Sequence, residues 1–384
     1  MAPPRVIAAA LLAGLILATA GGTDAKPTVC LSWNNVPSPG VGDTWSGLNG
    51  VAARSAKDVW AVGWLHTTTD FQQQTYAQHW DGRVWSSVPT PNPPPSTRLP
   101  GSALTDVDVV GRSDAWAVGW HLDDEGYAQA LTMRWDGARW SIVAVPPAPR
   151  LGDYRLYGVA AVSTSDVWAV GVSGGQPLLM HWDGATWRLW PAPTLSQQEP
   201  NRLYAVDARG ARDAWAVGYS GTRKGIVPLA LRWNGRRWRV VSRRGLKVNG
   251  ELLGVAAAPK GAWVVGWHFP RRAAGEVALA ARWNGRSWSK QAVPDRKYWD
   301  DRIEDVDITP SGVPAAVGVV AYDVDKKVDP VAFRWGRGRW RSANVEYAGH
   351  AAFWAVDVLS RSDGWAVGVG PSGVFTQRLS RCRP

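Results

Sequence analysis

The chain has 384 residues and a mass of 41.7 kDa. At roughly 150 residues per domain, that is enough for two ordinary domains or one large all-β domain. It carries 43 Lys and Arg against 32 Asp and Glu, a formal charge of +11, with 45% hydrophobic residues, so it can bury a core and is not disordered. Two Cys exclude a disulfide-rich mini-domain and a zinc site of three or four thiolates, while 26 Trp demand a structural explanation.

Residues 1–25 read as a signal peptide. Arg5 precedes a 15-residue apolar run from Val6 to Ala20, shorter than the ~18–20 residues that span a bilayer. Ala18 and Ala20 supply the small residues of a cleavage site, and Ala25 offers a second one. No Cys follows the run to carry a lipid, and no later segment is long and apolar enough to cross a membrane. The expectation is a secreted or cell-surface protein.

Beyond the leader, a unit of about 50 residues recurs seven times. Each opens with an apolar Leu-x-x-Val segment, as at Leu48, Leu104, Leu156, Leu203 and Leu252, with Ile303 and Phe353 in the last two copies. Trp-Ala-Val-Gly follows at Trp60, Trp116, Trp168, Trp215 and Trp365, Trp-Val-Val-Gly at Trp263, and a degenerate copy at Pro314. A second string, Trp-Asp/Asn-Gly-x-x-Trp, starts at Trp80, Trp135, Trp182, Trp233 and Trp283, with Trp335-Gly-Arg-Gly-Arg-Trp340 as its weakened copy. Each unit reads as four short strands, with the Asp-Gly or Asn-Gly pair expected to form a two-residue hairpin turn in which both residues have positive φ.

Four antiparallel strands repeated at this period predict an all-β, seven-bladed β-propeller. The blades fall at about 46–91, 103–149, 155–194, 202–243, 251–295, 302–346 and 352–382, the last completed by 29–39. That completion follows from the frame: the seventh unit stops after its third strand, and Trp33-Asn-Asn-Val-Pro matches Trp85-Ser-Ser-Val-Pro. On the same frame Cys30 and Cys382 both fall where the last hairpin should be, which predicts a Cys30–Cys382 disulfide worth roughly 4–5 kcal/mol by loop-closure entropy. Within Trp-Ala-Val-Gly, Trp and Val share one face and Ala and Gly the other, so a large face meets a small one between blades. Nineteen of the 26 Trp occupy frame positions and are read as packing.

The unit resembles the Asp-box type of propeller repeat. It is similar to photosystem II assembly-factor-like propellers and their exported bacterial relatives, in a wider class that includes sialidases. The resemblance covers 29–384 and implies fold more than function, because the box is a structural turn. It departs at the usual Ser or Thr of the box, replaced here by His79, Arg134, His181, Arg232 and Arg282, and Asn234 and Asn284 replace the Asp.

Long irregular connections open on one face of such a ring, which makes that face the candidate for binding. The off-frame aromatics Trp64, Trp120, Trp267, Trp299 and Trp354, with His121 and His268, are the candidate ligand contacts, placed to line the mouth of the central channel and suited to a sugar or peptide. The acidic clusters Asp123–Glu125, Asp300-Asp301 and Asp323–Asp325 read as solvated loop charge, and no metal or other cofactor is expected. From Arg202 to Lys247 there are 12 Lys or Arg against Asp207 and Asp213. That charge suits an anionic polymer rather than nucleic acid.

The function expected is an exported, non-catalytic, monomeric scaffold that binds a cell-surface polymer, glycan or protein. The alternative is a sialidase-like glycoside hydrolase. Sialidases use three Arg, a Tyr–Glu nucleophile pair and an acidic Asp. Arg155, Arg202 and Arg302 stand near the starts of first strands, and Asp301, Glu304 and Asp305 are carboxyl candidates, but no Tyr–Glu pair can be assigned.

Overall fold

The structure is a computed structural model that describes residues 30–39, 45–67, 72–93, 101–195, 200–270, 275–294, 300–322, 327–347 and 349–382. The leader 1–25 and Trp299 lie outside the described residues. Six repeats are four-stranded antiparallel sheets whose strands keep chain order, and with a seventh, five-stranded sheet they form the propeller. Blade 1 consists of Ser46–Ser55, Asp58–His66, Gln73–Trp80 and Trp85–Val88, and blades 2 to 6 repeat that plan from Ser102, Tyr154, Asn201, Asn249 and Asp300. No helix occurs among the described residues.

The ring closes as the frame requires. Blade 7 supplies Ala352–Ser360, Asp363–Gly370 and Gly373–Arg381. Its fourth strand is Leu31–Asn35, paired antiparallel from Leu31↔Arg381 to Asn35↔Gln377. A fifth strand was not legible in the repeat: Asn344–Val345, from the tail of blade 6, runs parallel to Leu31–Asn35. Both Cys30 and Cys382 are disulfide-bonded, and the chain has no other cysteine with which either could pair.

Tryptophan holds neighbouring blades together. Trp60 of blade 1 sits 4.8 Å from Trp135 and 5.0 Å from Trp140, the two indoles that flank the blade 2 hairpin. The same insertion joins Trp116 to Trp182 and Trp187, and Trp365 to Trp80 and Trp85 across the ring closure. Ring pairs of this geometry add about 0.5–1.5 kcal/mol each beyond burial. Trp60 and Val62 pack forward into the blade 2 cluster, while Val59 and Ala61 face back onto Trp365 and Val367. The blade 6–blade 7 seam is the exception, because Ala315 stands where a Trp should; Trp33, Phe353 and Phe375 fill that cluster instead.

An Arg or His side chain lies against most of these indoles. Arg134 lies 5.4 Å over Trp116 and bonds Asp114, and His79 lies 4.6 Å from Trp60 and bonds Asp58. The turn Asp, third-strand Arg or His and second-strand Trp of blades 1, 2, 3, 4 and 7 thus act as one structural triad, which accounts for His79 and His181.

The hairpins correct one expectation. Trp80 pairs with Trp85, so four residues, Asp81 to Val84, form the loop, and only Gly82 has positive φ. The Asp81 side chain accepts the amides of Arg83 and Val84 at 2.7 and 2.9 Å, replacing the backbone turn that was expected. Asn234 does the same for Arg236 and Arg237, which explains why Asp and Asn interchange here. The two-residue turn occurs only in the degenerate sixth copy, where Gly336 pairs with Arg339 and both Arg337 and Gly338 have positive φ.

Candidate functional site

The repeat glycine explains the site. In blade 1, Leu48 pairs with Gly63 and Gly50 with Val62, so Asn49 is an extra residue with no partner. This is a β-bulge, and it pushes the Gly47 carbonyl towards Gly63, where a Cβ would lie 2.0 Å from the oxygen. The same contact recurs at Gly119, Gly171, Gly218, Gly266, Gly318 and Gly368. Every first strand therefore carries a bulge at the residue after its leading apolar residue.

A bulge re-aims its extra side chain, and here all seven are aimed at one place. Asn49, Thr105, Tyr157, Tyr204, Leu253, Glu304 and Trp354, one from each blade, line a single cavity of about 340 Å³. They lie near the first-strand ends that follow the long connections, so this cavity is the long-loop mouth of the central channel. Asp106 and Asp305 complete its polar wall. Asn49 and Thr105 are tied to the next blade, donating to the carbonyls of Leu104 at 2.7 Å and Leu156 at 3.0 Å. Tyr157 meets Tyr204 edge to face at 5.6 Å.

Carboxylates continue down the channel. Inner-edge strands leave amides unpaired, and aspartates of the preceding blade satisfy them. Asp106 and Asp108 accept Val159 and Ala161 at 2.9 and 2.7 Å, and Asp207 accepts Ala257 at 2.6 Å. Asp305 and Asp307 accept Val356 and Val358 at 2.9 and 2.8 Å, and Asp357 accepts Ala53 at 2.6 Å. At Gly50, Gly158 and Gly254 a Cβ would stand 2.7–3.0 Å from backbone of the next blade, so those blades close by direct approach instead.

Burial raises these acids above the usual carboxylate range. It pushes Asp108 and Asp305 up to about 6 and Asp357 to about 7, with repulsion between Asp357 and its neighbouring carboxylates adding to the effect. Burial also pushes Glu304 to about 7; Arg302 opposes this, and the carboxylates of Glu251, Glu276 and Asp305 reinforce it. Glu304 accepts no hydrogen bond from any described residue. The channel of this basic protein is thus acidic.

Of the aromatics named from sequence, Trp354 is in the cavity wall, 37% exposed. Trp267 is only 5% exposed and lies under Arg302 at 5.4 Å, and Trp120 lies under Arg155 at 4.8 Å, so both brace arginines of the neighbouring blade. Trp64 packs against Trp45 and His66. His121 and His268 stand on blades 2 and 5, and burial lowers the pKa of both. No group of described residues is arranged to hold a metal ion. Sequence reasoning overlooked most of the bulge positions. Their signal is the variable residue after each leading Leu.

No protein-family profile and no curated protein matches the chain. The solved structures that resemble it include two of YCF48. YCF48 from Cyanidioschyzon merolae gives a TM-score of 0.55 at 15% identity, covering 90% of this chain and 98% of its own. YCF48 bound to a D1 peptide gives 0.40 at 16% identity, covering 73% of this chain and 92% of its own. The likeness to YCF48 from Cyanidioschyzon merolae is one of fold, a β-propeller, in keeping with the architecture expected from the repeat. No described helix is long and apolar enough to cross a membrane, and a disulfide is compatible with an extracellular location.

Proposed function

We propose that this protein is an exported, non-catalytic interaction scaffold that holds its partner at the long-loop mouth of the channel. The observation that carries the reading is the convergence of seven bulged side chains, one per blade, on one cavity. A rigid ring that spends its repeat glycine on presenting one variable residue per blade is built to display chemistry, with the long connections as a second rim. The Asp-box kinship, the signal peptide and a monomeric state belong to the same reading. The partner is a cell-surface glycan, polymer or protein. The test is retention on cell-wall material or secreted proteins of the producing culture, comparing wild type with Trp354→Ala and with the double variant Trp120→Ala, Trp267→Ala. Loss in Trp354→Ala at unchanged melting temperature supports the mouth. Unchanged retention in both removes it.

One observation favours the glycosidase alternative: the Glu304 carboxyl, raised to about 7, suits a general acid. The arginines of that reading are otherwise engaged, with Arg302 held by Glu276 and Arg202 lying over Tyr157 and Tyr204. A panel of fluorogenic glycosides decides it. Turnover that is lost in Glu304→Gln supports catalysis, and inactivity across the panel removes it.

A further inference from the structure

The mouth cavity combines two features that do not ordinarily share a pocket wall. Three carboxyl side chains, Asp106, Glu304 and Asp305, stand beside three aromatic rings, Tyr157, Tyr204 and Trp354. Among the described residues no Lys, Arg or His lines it. Two arginines beside it already have partners. Arg302 donates to both carboxylate oxygens of Glu276, and Arg202 lies 5.5 and 5.9 Å over the rings of Tyr157 and Tyr204.

The three carboxyls differ in their obligations. Asp106 and Asp305 each spend both oxygens on backbone amides of their own and the next blade. Glu304 is half-buried in the wall and spends neither on a described residue, although the charge of Arg302 acts on it. A carboxylate drawn partly out of water without a donor gains from a positive charge or a strong donor. The Trp354 ring suits the same guest, because π faces attract alkylated cations, and Tyr157 and Tyr204, already under Arg202, add apolar cover for the alkyl stem behind the charge.

We propose that the cavity receives one organic cation, the ammonium or guanidinium end of an alkyl chain, with its charge against Glu304 and its stem against Trp354, Tyr157 and Tyr204. This rests on the mouth being the binding site and adds the chemical class of the guest. A volume of about 340 Å³ admits one such side chain but not a folded domain, so a macromolecular partner would insert a single residue. The cation can come from a Lys or Arg side chain of a protein or from a free polyamine.

Calorimetric titration tests it with blocked tripeptides that carry Lys, Arg, trimethyl-Lys, norleucine or Glu at the centre, and with spermidine. The cationic peptides or spermidine should bind, and norleucine and Glu peptides should not. Peptide binding without spermidine binding identifies a protein source, and the reverse a free amine. Glu304→Gln should weaken binding about tenfold or more, and Trp354→Ala about threefold or more, whereas Val84→Ala on the opposite face, 55% exposed, should leave it unchanged. Melting curves show whether each variant is folded, and Trp354, being partly exposed, gives a variant that folds even should Glu304→Gln not. Equal binding of the norleucine peptide, or no binding by any cation, overturns the proposal. Loss of partner retention in Trp354→Ala despite that result would leave the mouth standing and remove only the cation.

Discussion

Single residues in this protein answer to backbone geometry as much as to side-chain chemistry. Gly218 illustrates the point: its would-be Cβ lies 2.0 Å from the Arg202 carbonyl, which the Tyr204 bulge has displaced. Gly218→Ala should therefore destabilise by about 3 kcal/mol or more, because the obstacle is backbone and cannot rotate away. Gly111→Ala has nothing within 4 Å and should change stability by less than about 0.5 kcal/mol. Urea unfolding of the pair checks this, and equal midpoints would contradict the bulge account. The sequence carried this glycine in every copy but not its cause, since a register shift between two strands is a tertiary fact. Trp354 was legible in the sequence as an off-frame aromatic, but Tyr157 and Tyr204 were not, because only the register shift sets them apart from other first-strand residues.

Strands and turns were far more legible. The alternation inside Trp-Ala-Val-Gly specifies which face each strand turns to which neighbour, and the clusters at the blade interfaces follow it. The hairpin was misread because Asp-Gly has two uses: its backbone can form a two-residue turn, or its carboxylate can cap a four-residue loop as Asp81 does. Leu31–Asn35 was legible from its likeness to the other fourth strands. The parallel partner Asn344–Val345 was not, since it belongs to no repeat and is placed only by the closed ring. This is the seam that lacks a second-strand Trp, so the terminal strand depends on other ties. Replacing both cysteines, Cys30→Ser with Cys382→Ser, should cost roughly 4–5 kcal/mol and speed amide exchange in Leu31–Asn35 above that of Trp85–Val88. An unchanged urea midpoint with unchanged exchange would contradict it.

At the scale of the whole ring, charge is sorted by place: basic residues crowd the exposed surface of blade 4, and acids line the axis. The axis should set the pH response. Asp108, Asp305, Glu304 and Asp357 have folded pKa values of about 6 to 7, above those of the unfolded chain near 4. Where the folded state holds the proton more tightly, its contribution is full below the unfolded pKa and is lost as pH rises through the folded one. Stability should fall as pH rises from about 4 to about 8, and Asp357→Asn, which keeps an acceptor for the Ala53 amide, should flatten that slope. Asp81, Asp136 and Asp183 act oppositely, because hairpin amides hold them low, so stability also falls in stronger acid. Melting temperature against pH reads both limbs, and a curve that rises steadily to pH 8 would contradict the acidic axis. The claim on which function depends is that partners meet the long-loop mouth. A photo-crosslinking residue placed at Trp354 in the mouth, and in a second protein at Val84 on the opposite face, where the side chain is 55% exposed, tests it directly. The account predicts one dominant adduct from position 354 and none from position 84 when the protein is irradiated with the producing culture. Capture from position 84 alone would contradict it.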